Sequence, residues 1–517
     1  PRPLKILLVS EITMTNLNRE ANIEGIALVV PNDVELVPVP SRGSKQDDPF
    51  LVVFAEPYDA ENPKDWRTGH KWAITDVLSA TGFNRIMVST IMAPALSTIA
   101  KEFGMSSTES AMALSIYLLA TALGPLVIGP LSEVYGRQPI LHASNVWFLV
   151  WNIACGFATS KEMLIASRFL AGFGASAIYA LANGVLSDVW RPEQRGRSLG
   201  VYLLIPLLGA AVGPIIGGFM ADRTTWRWMF WATSIFQAAM ILVAFSVFQE
   251  TYAPLILQRR AERIRRETGD SRYYTLNERL QANKSPARVL GQALIRPLCL
   301  LVLNPIMQIA SIISAFYYGI LYIVLSTFSD LWTTQYHQSI QISGLHYIAV
   351  ALGEIAGSQI CAKLMDCLYH RLKARRRDGD HTPELRTPCI FPGALLGPIG
   401  LFLYGWAAQY RLHWAIVDIG VFITMLGMQI TGMPLQAYVM EAFPEHTGSA
   451  GAASQFLRSM TAFLFPLFAP HMYRVLGYGW GNSTIAFIGL FVGLPAPLVI
   501  WVYGEKLRAR AKTSFRV

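Results

Sequence analysis

Apolar residues recur along this chain in blocks of about 20, divided by short polar stretches. About 20 apolar residues is the length a helix needs to cross a hydrocarbon core of about 30 Å. The blocks fall at 72–95, 110–131, 139–158, 162–186, 197–220, 227–248, 299–325, 341–363, 390–408, 413–435, 449–472 and 482–503, and they predict twelve spanning helices. Glycine and proline inside several blocks do not argue against helix, because in a membrane neighbouring helices re-satisfy the freed backbone groups. The longest polar interruption is 250–296, with Arg259, Arg260, Arg263, Arg265, Arg266, Arg272, Arg279, Lys284 and Arg288. It divides the pattern six and six. The expected layout is an N-terminal tail over 1–70, a six-helix bundle over 71–249, a basic linker over 250–297, a second bundle over 298–503 and a basic tail over 504–517. The N-terminal tail is polar and proline-bearing, which predicts disorder over most of its length.

Composition supports a membrane class. Charged residues make up 15% of the chain and apolar residues 53%, against about 25% charged in soluble domains. The net charge of +9 raises the question of nucleic acid, but its distribution gives a different answer. Alternate connections hold Arg137, then Arg191, Arg195 and Arg197, then the linker arginines, then Lys373, Arg375, Arg376 and Arg377. The end of the chain adds Lys506, Arg508, Arg510, Lys512 and Arg516. The intervening connections hold only Lys101, Lys161, Arg223, Arg411 and Arg474; the connection with Glu441 and Glu445 is an acidic exception. Such asymmetry predicts cytoplasmic termini and contact with anionic lipid, with no nucleic-acid partner. The first span then serves as an uncleaved insertion signal. Trp226, Trp228, Trp231, Trp406, Trp414, Trp480 and Trp501 flank spans and suit interfacial anchoring. The five cysteines form no CxxC pair and read as apolar fillers, with no metal site and no cofactor. The sequon at Asn482 lies too near the membrane to be an acceptor. The plasma membrane is the default location, and a vacuolar membrane fits the same physics; a monomer is expected.

Three segments carry candidate chemistry. The connection after the second block reads Gly129-Pro-Leu-Ser-Glu-Val-Tyr-Gly-Arg-Gln-Pro139. Gly129 and Gly136 allow a tight turn and close helix approach. Glu133 and Arg137 are four apart beside the bilayer, where an ion pair is strengthened by lower dielectric. This pattern resembles the signature loop of the major facilitator superfamily, G-x-x-[S/A]-[D/E]-x-x-G-R. The usual second basic residue is Gln138 here. The resemblance implies the major facilitator fold, two pseudo-symmetric six-helix bundles. It also implies that the loop locks and releases one conformational state. In the fourth block, Arg168-Phe-Leu-Ala-Gly-Phe-Gly-Ala-Ser176 places an arginine in an apolar helix. That is costly and marks a functional candidate, with snorkelling as the bland alternative. The run is similar to a superfamily motif whose arginine is linked to proton coupling. In the fifth block, Gly209, Gly213 and Gly217 are spaced four apart, with Pro214 and Gly218 beside them. Small residues at that spacing permit close helix packing, and Pro214 removes one backbone donor. The run resembles the antiporter motif of drug:proton antiporters. Asn62-Pro-Lys-Asp-Trp66, Glu441-Ala-Phe-Pro444 and Phe456-Leu-Arg-Ser459, among others, narrow the resemblance to the fungal twelve-span drug:proton antiporter branch, over about 61–505. That branch commonly has an acid where Asn304 precedes Pro305-Ile306, so proton binding is not expected there.

Further intramembrane polar residues are candidates. Glu354 and then Asp418 are the acids placed to carry a proton beside Arg168. Arg85, Asn304, Tyr317, Tyr318 and Tyr322 are candidates for a substrate pocket, since bulky organic cargo needs stacking surface. The bland reading of each is packing or pairing inside a bundle, such as Arg85 with an unidentified acid. No GxxxxGK[ST], HExxH or GxSxG is present, so neither ATP use nor an enzyme is expected. The reading is proton-coupled export of small organic molecules such as drugs, toxins or secondary metabolites by alternating access. An exporter or symporter of organic acids or polyamines is the alternative, and a transporter-like sensor a further one.

Overall fold

The computed structural model describes residues 48–281, 286–375, 383–443 and 447–514. The tail over 1–47, Lys284 and Glu445 lie outside these residues. So do the side chains of Arg195, Arg197, Arg288, Lys373, Arg375, Arg376, Arg377, Arg510, Lys512 and Arg516.

The described chain is helical, and its single β-bridge pairs Leu51 with Tyr274. The long helices of the first half are α1 (Thr68–Thr90), α2 (Ser107–Tyr135), α3 (Arg137–Gly156), α4 (Lys161–Val189), α5 (Pro192–Arg223) and α6 (Arg227–Val247). Those of the second half are α7 (Pro305–Thr334), α8 (Tyr347–Arg375), α9 (Ile390–Gln409), α10 (Trp414–Ala442), α11 (447–476) and α12 (478–493, continued by Pro495–Ser514). Local chemistry sets their limits. Ser106 and Glu109 form a capping box at the start of α2, satisfying two orphan amides reciprocally. Gly136 at φ 100° separates α2 from α3, and Gly477 at φ 70° separates α11 from α12. Positive φ suits glycine because no Cβ meets the following carbonyl. Asn304 caps α7, with Pro305 at the first helical position, where the missing amide costs nothing.

Eight helical segments among the described residues are long and apolar enough to cross a bilayer, and the one at Ser449–Arg508 spans the Gly477 break. Helices α1 and α3 are not among them because they carry Asn84, Arg85, His142, Asn145 and Asn152, all buried. Their polarity points inward. Large apolar side chains point outward instead: Phe491 is 80% exposed and Leu242 74%. In water such a surface would aggregate; in lipid it is the expected face.

The beginnings of α1, α3, α5, α7, α9 and α11 gather at one end of the bundle with the linker helices; this is called the proximal end, and the opposite one distal. At the proximal end, residues 48–66 form a strap rather than a loose tail. Asp59 accepts from Arg260 at 2.6 Å, Glu61 pairs with Arg263 at 3.0 Å, and Asp65 pairs with Arg191 at 2.6 Å. Burial pushes the Asp59 carboxyl up, but the Arg260 guanidinium and the amides of Ala55 and Glu61 outweigh it and hold it below the usual carboxylate range. The linker is helical over Ala253–Thr268, Leu276–Gln281 and Pro286–Leu303. Its arginines are therefore spent partly on the strap.

Candidate functional site

The glycines of α5 pack against α1. A Cβ at Gly209 would stand 2.6 Å from the Phe83 carbonyl oxygen, one at Gly213 would stand 2.8 Å from that of Met87, and one at Gly217 would collide with that of Ile91. Four-residue spacing puts the three on one face, and the backbones approach as only small residues permit. The prolines of α5 add a second bond between the same helices. Pro206 and Pro214 supply no amide to the carbonyls of Tyr202 and Ala210 four residues earlier. Hydroxyls of α1 reach both carbonyls: Ser79 donates to Tyr202 at 2.9 Å, and Thr90 shares its proton between Met87 of its own helix at 3.2 Å and Ala210 at 3.3 Å. The same device recurs in the second half. Pro434 frees the Ile430 carbonyl on α10, and the Cys361 thiol of α8 lies 3.8 Å from it.

Gly218 faces a different partner. A Cβ there would lie 3.2 Å from Gly344 Cα and 3.1 Å from the Ile340 carbonyl oxygen; one at Gly344 would lie 3.0 Å from the Pro214 carbonyl oxygen. Gly344 belongs to the short helix Ile340–Leu345 that precedes α8. The antiporter-like run thus touches α1 on one face and the other half of the molecule on the next. Further contacts join the halves distally: Arg474 donates to Ser107 at 3.1 Å and Ser329 to the Pro94 carbonyl at 3.4 Å. The distal end is closed.

Two arginines of the first half are buried with no carboxylate as hydrogen-bond partner among the described residues. Arg168 donates to the carbonyls of Val88 (2.9 Å), Leu114 (3.3 Å), Ala113 (3.4 Å) and Ser89 (3.5 Å). It lies over the Tyr117 ring at 4.7 Å. The guanidinium fork so ties α4 to the distal ends of α1 and α2. Arg85 donates to the Ala175 carbonyl at 3.0 Å and to the Asn145 side chain, above Phe148. The acid expected beside it is replaced by amides: Asn145 also accepts from Gln237, and Gln237 accepts from Asn84.

Tyr322 bridges the halves, its hydroxyl 3.4 Å from Ser89 near the distal end of α1. Tyr318 stacks edge-on with Tyr322 and carries Arg458 over its ring at 4.4 Å. Tyr179 of α4 packs against the buried apolar core of the first half. Nearby, Thr121 donates to Ser459 at 3.2 Å. Tyr317 is one residue along and turns into its own bundle, against Gly397 and Gly493. Asn304 has a different job from pocket lining: its side-chain oxygen accepts from the amides of Ile306 and Met307. Glu354 is 4% exposed with no hydrogen-bond donor or cation among the described residues, a setting where the charged form carries a large desolvation cost. Asp418 pairs with His346 at 2.7 Å.

In the loop at 129–137, Gly129 lies inside α2 rather than in the turn, and Gly136 makes the turn alone. Arg137 stands beside Asp188 at 3.6 Å rather than beside Glu133, which is exposed. It donates to Ser132 at 2.5 Å and lies over Tyr252 at 5.0 Å. Glu250 accepts from the amides of Arg137 at 2.9 Å and Gln138 at 3.3 Å, a carboxylate on the positive end of α3. A Cβ at Gly136 would collide with that carboxylate. Sequence reasoning missed Asp188 and Glu250 as partners because they are distant in the chain, and it missed His346 because one histidine in an apolar run carries no pattern. Trp226, expected at the interface, is buried and donates to Glu102 at 2.7 Å.

A model of the Major Facilitator Superfamily matches residues 78–466. The chain is 54% identical over 425 residues to a probable efflux pump, mfs2, of Aspergillus flavus, covering 82% of this chain and all of that protein. It is 42% identical over 478 residues to the efflux pump vrtL of Penicillium aethiopicum, covering 92% and 93%. Among solved structures it resembles the partially occluded, inward-open xylose transporter XylE of E. coli, with TM-score 0.60 and 16% identity over 84% of this chain and 98% of that one.

Proposed function

The chain belongs to the Major Facilitator Superfamily, and on that premise we propose that it is a proton-coupled exporter of small organic molecules. It is a transporter rather than an enzyme. The observation that carries the alternating-access part is the seam of α5, where Gly209, Gly213 and Gly217 lock onto α1 while Gly218 meets Gly344 of the other half. One helix thereby couples the interior of a bundle to the distal closure, which alternating access requires. The names of mfs2 and vrtL as efflux pumps support export. The proximal end is the cytoplasmic one in this reading, because Arg137, Arg191 and the linker arginines gather there. The substrate then enters from the cytoplasm between the halves, against Tyr179, Tyr318, Tyr322 and Arg458. Glu354, Asp418 and Arg168 are the proton-coupling candidates, and Gly136 with Arg137 and Asp188 forms the proximal switch.

Arg458 favours one cargo over another. A half-buried cation over Tyr318 that forms no ion pair among the described residues suits neutral aromatic or acidic molecules and repels polyamines. Purified protein in proteoliposomes, offered aromatic compounds of either charge, tests the reading. An imposed pH gradient should drive accumulation of neutral or acidic aromatic compounds. Transport indifferent to the gradient would overturn proton coupling, and a preference for polyamines would overturn the cargo assignment.

A further inference from the structure

A buried ionic cluster at the distal end of the second half lies outside the superfamily-like motifs. His346 follows the helix Ile340–Leu345 and leads into α8, with its ring buried. Its Nδ1 lies 2.7 Å from Asp418 Oδ2 on α10, and its Nε2 lies 2.8 Å from Gln338 Oε1. The ring stacks on Trp332 at 3.7 Å and 11°, with Trp414 at its edge. Both ring nitrogens therefore face acceptor oxygens. A neutral imidazole has one N–H and fills one such contact; an imidazolium fills both. The Trp332 face favours the cation too. Turning the Gln338 amide end for end offers an N–H instead, which suits the neutral ring. The cluster has two self-consistent states one proton apart.

Its position gives those states a consequence. Gly344, two residues before His346, is the residue seated against Pro214 and Gly218 of α5. Ser343 of the same short helix bonds Ser329 at 2.9 Å. His346 so pins the segment that closes the distal end. The other titratable or charged groups on the surrounding elements include Asp330, Tyr336 and His337 from α7 and the connection after it, Tyr410, Arg411 and His413 before α10, Tyr347 on α8, Tyr404 on α9, and Asp222 and Arg223 at the end of α5. Tyr336 and Tyr347 spend their hydroxyls on the carbonyls of Leu412 and Leu325.

We propose that His346, with Asp418 and Gln338 as its positioning residues, is a proton-binding site that latches the distal end shut. With the proton bound, the ion pair to Asp418 holds Ile340–Leu345 on α5. Releasing the proton to water breaks one N–H bond, leaves Asp418 without its cation, and loosens the segment. The inference rests on the proton-coupled reading and gives it a polarity: acid on the distal side closes that side after cargo has left.

Ser343 is buried at this seam, so Ser343→Cys, in a chain whose five native cysteines are replaced, reports distal opening by thiol labelling. Without substrate, and relative to a freely exposed cysteine that corrects for the thiolate fraction, labelling should be about tenfold faster at about pH 8 than at about pH 5.5. His346→Gln should abolish that dependence, and His346→Arg, permanently charged, should be protected at both values. A pH profile unchanged in His346→Gln would overturn the latch, as would His346→Arg labelling like the open form; the second arm serves if the first variant does not fold. Gradient-driven transport by the unmodified chain is measured separately. Its absence would sink proton-coupled export, while the labelling profile still decides the latch.

Discussion

At the residue scale, the buried arginines show how charge is carried in an apolar helix without an acid. Arg168 has its donors on four backbone carbonyls from α1 and α2. Val88 and Ser89 lie in the last turn of α1, where carbonyls lack an intrahelical amide, and Ala113 and Leu114 lie near the start of α2. A point charge cannot reproduce that planar fork. Arg168→Lys should therefore destabilise the protein by about 2–3 kcal/mol, the cost of losing charged hydrogen bonds in a buried site. Thermal denaturation in detergent reads this directly, and an unchanged midpoint would show that the fork contributes nothing. The sequence marks Arg168 and Arg85 as costly, and that much is legible from the apolar runs around them. It does not reveal what they bind, because carbonyls have no side-chain signature and Asn145 lies on another helix. The same limit explains Arg137. Spacing offers Glu133 as its partner, while the fold brings Asp188 from α4 instead.

At the scale of elements, the α1–α5 pair is held by complementary defects. Pro206 and Pro214 of α5 each open a carbonyl, and each opening meets a hydroxyl of α1. Interhelical hydrogen bonds in membranes average about 0.6 kcal/mol and reach about 1.7. Ser79→Ala with Thr90→Val should cost about the sum of the two single changes, since the sites share no partner. Melting of the two single variants and the double variant checks both magnitude and additivity. A larger effect for Thr90→Val is expected, because Gly213 packs against that hydroxyl. The glycine ladder and the prolines are visible in the sequence as a small-residue face with kinks. That Ser79 and Thr90 complete it is not, because a hydroxyl in an apolar helix usually bonds its own preceding turn.

For the whole molecule, the question is which end is closed. Gly218 with Gly344, Ser107 with Arg474, and Pro94 with Ser329 all join the halves distally. Cysteines at Ser107 and Arg474, bridged by a reducible bifunctional thiol reagent that spans the length of the arginine, should hold the distal end shut and stop transport. Reduction should restore it, and full activity while cross-linked would mean that the distal end need not open. The sequence by itself determined the helical membrane class, the two-half layout and the superfamily, because spans need about 20 apolar residues and short motifs at tight turns tolerate few residue types. It did not determine the strap over 48–66, whose Asp59 and Glu61 meet partners in the linker. Nor did it determine the jobs of Asn304, Tyr317 and Trp226, or the pairing of His346 with Asp418. Those depend on which faces of distant helices meet, and one chain's pattern of apolar and polar positions carries the period of each helix but not its rotation against its neighbours. Only the tertiary structure decided that.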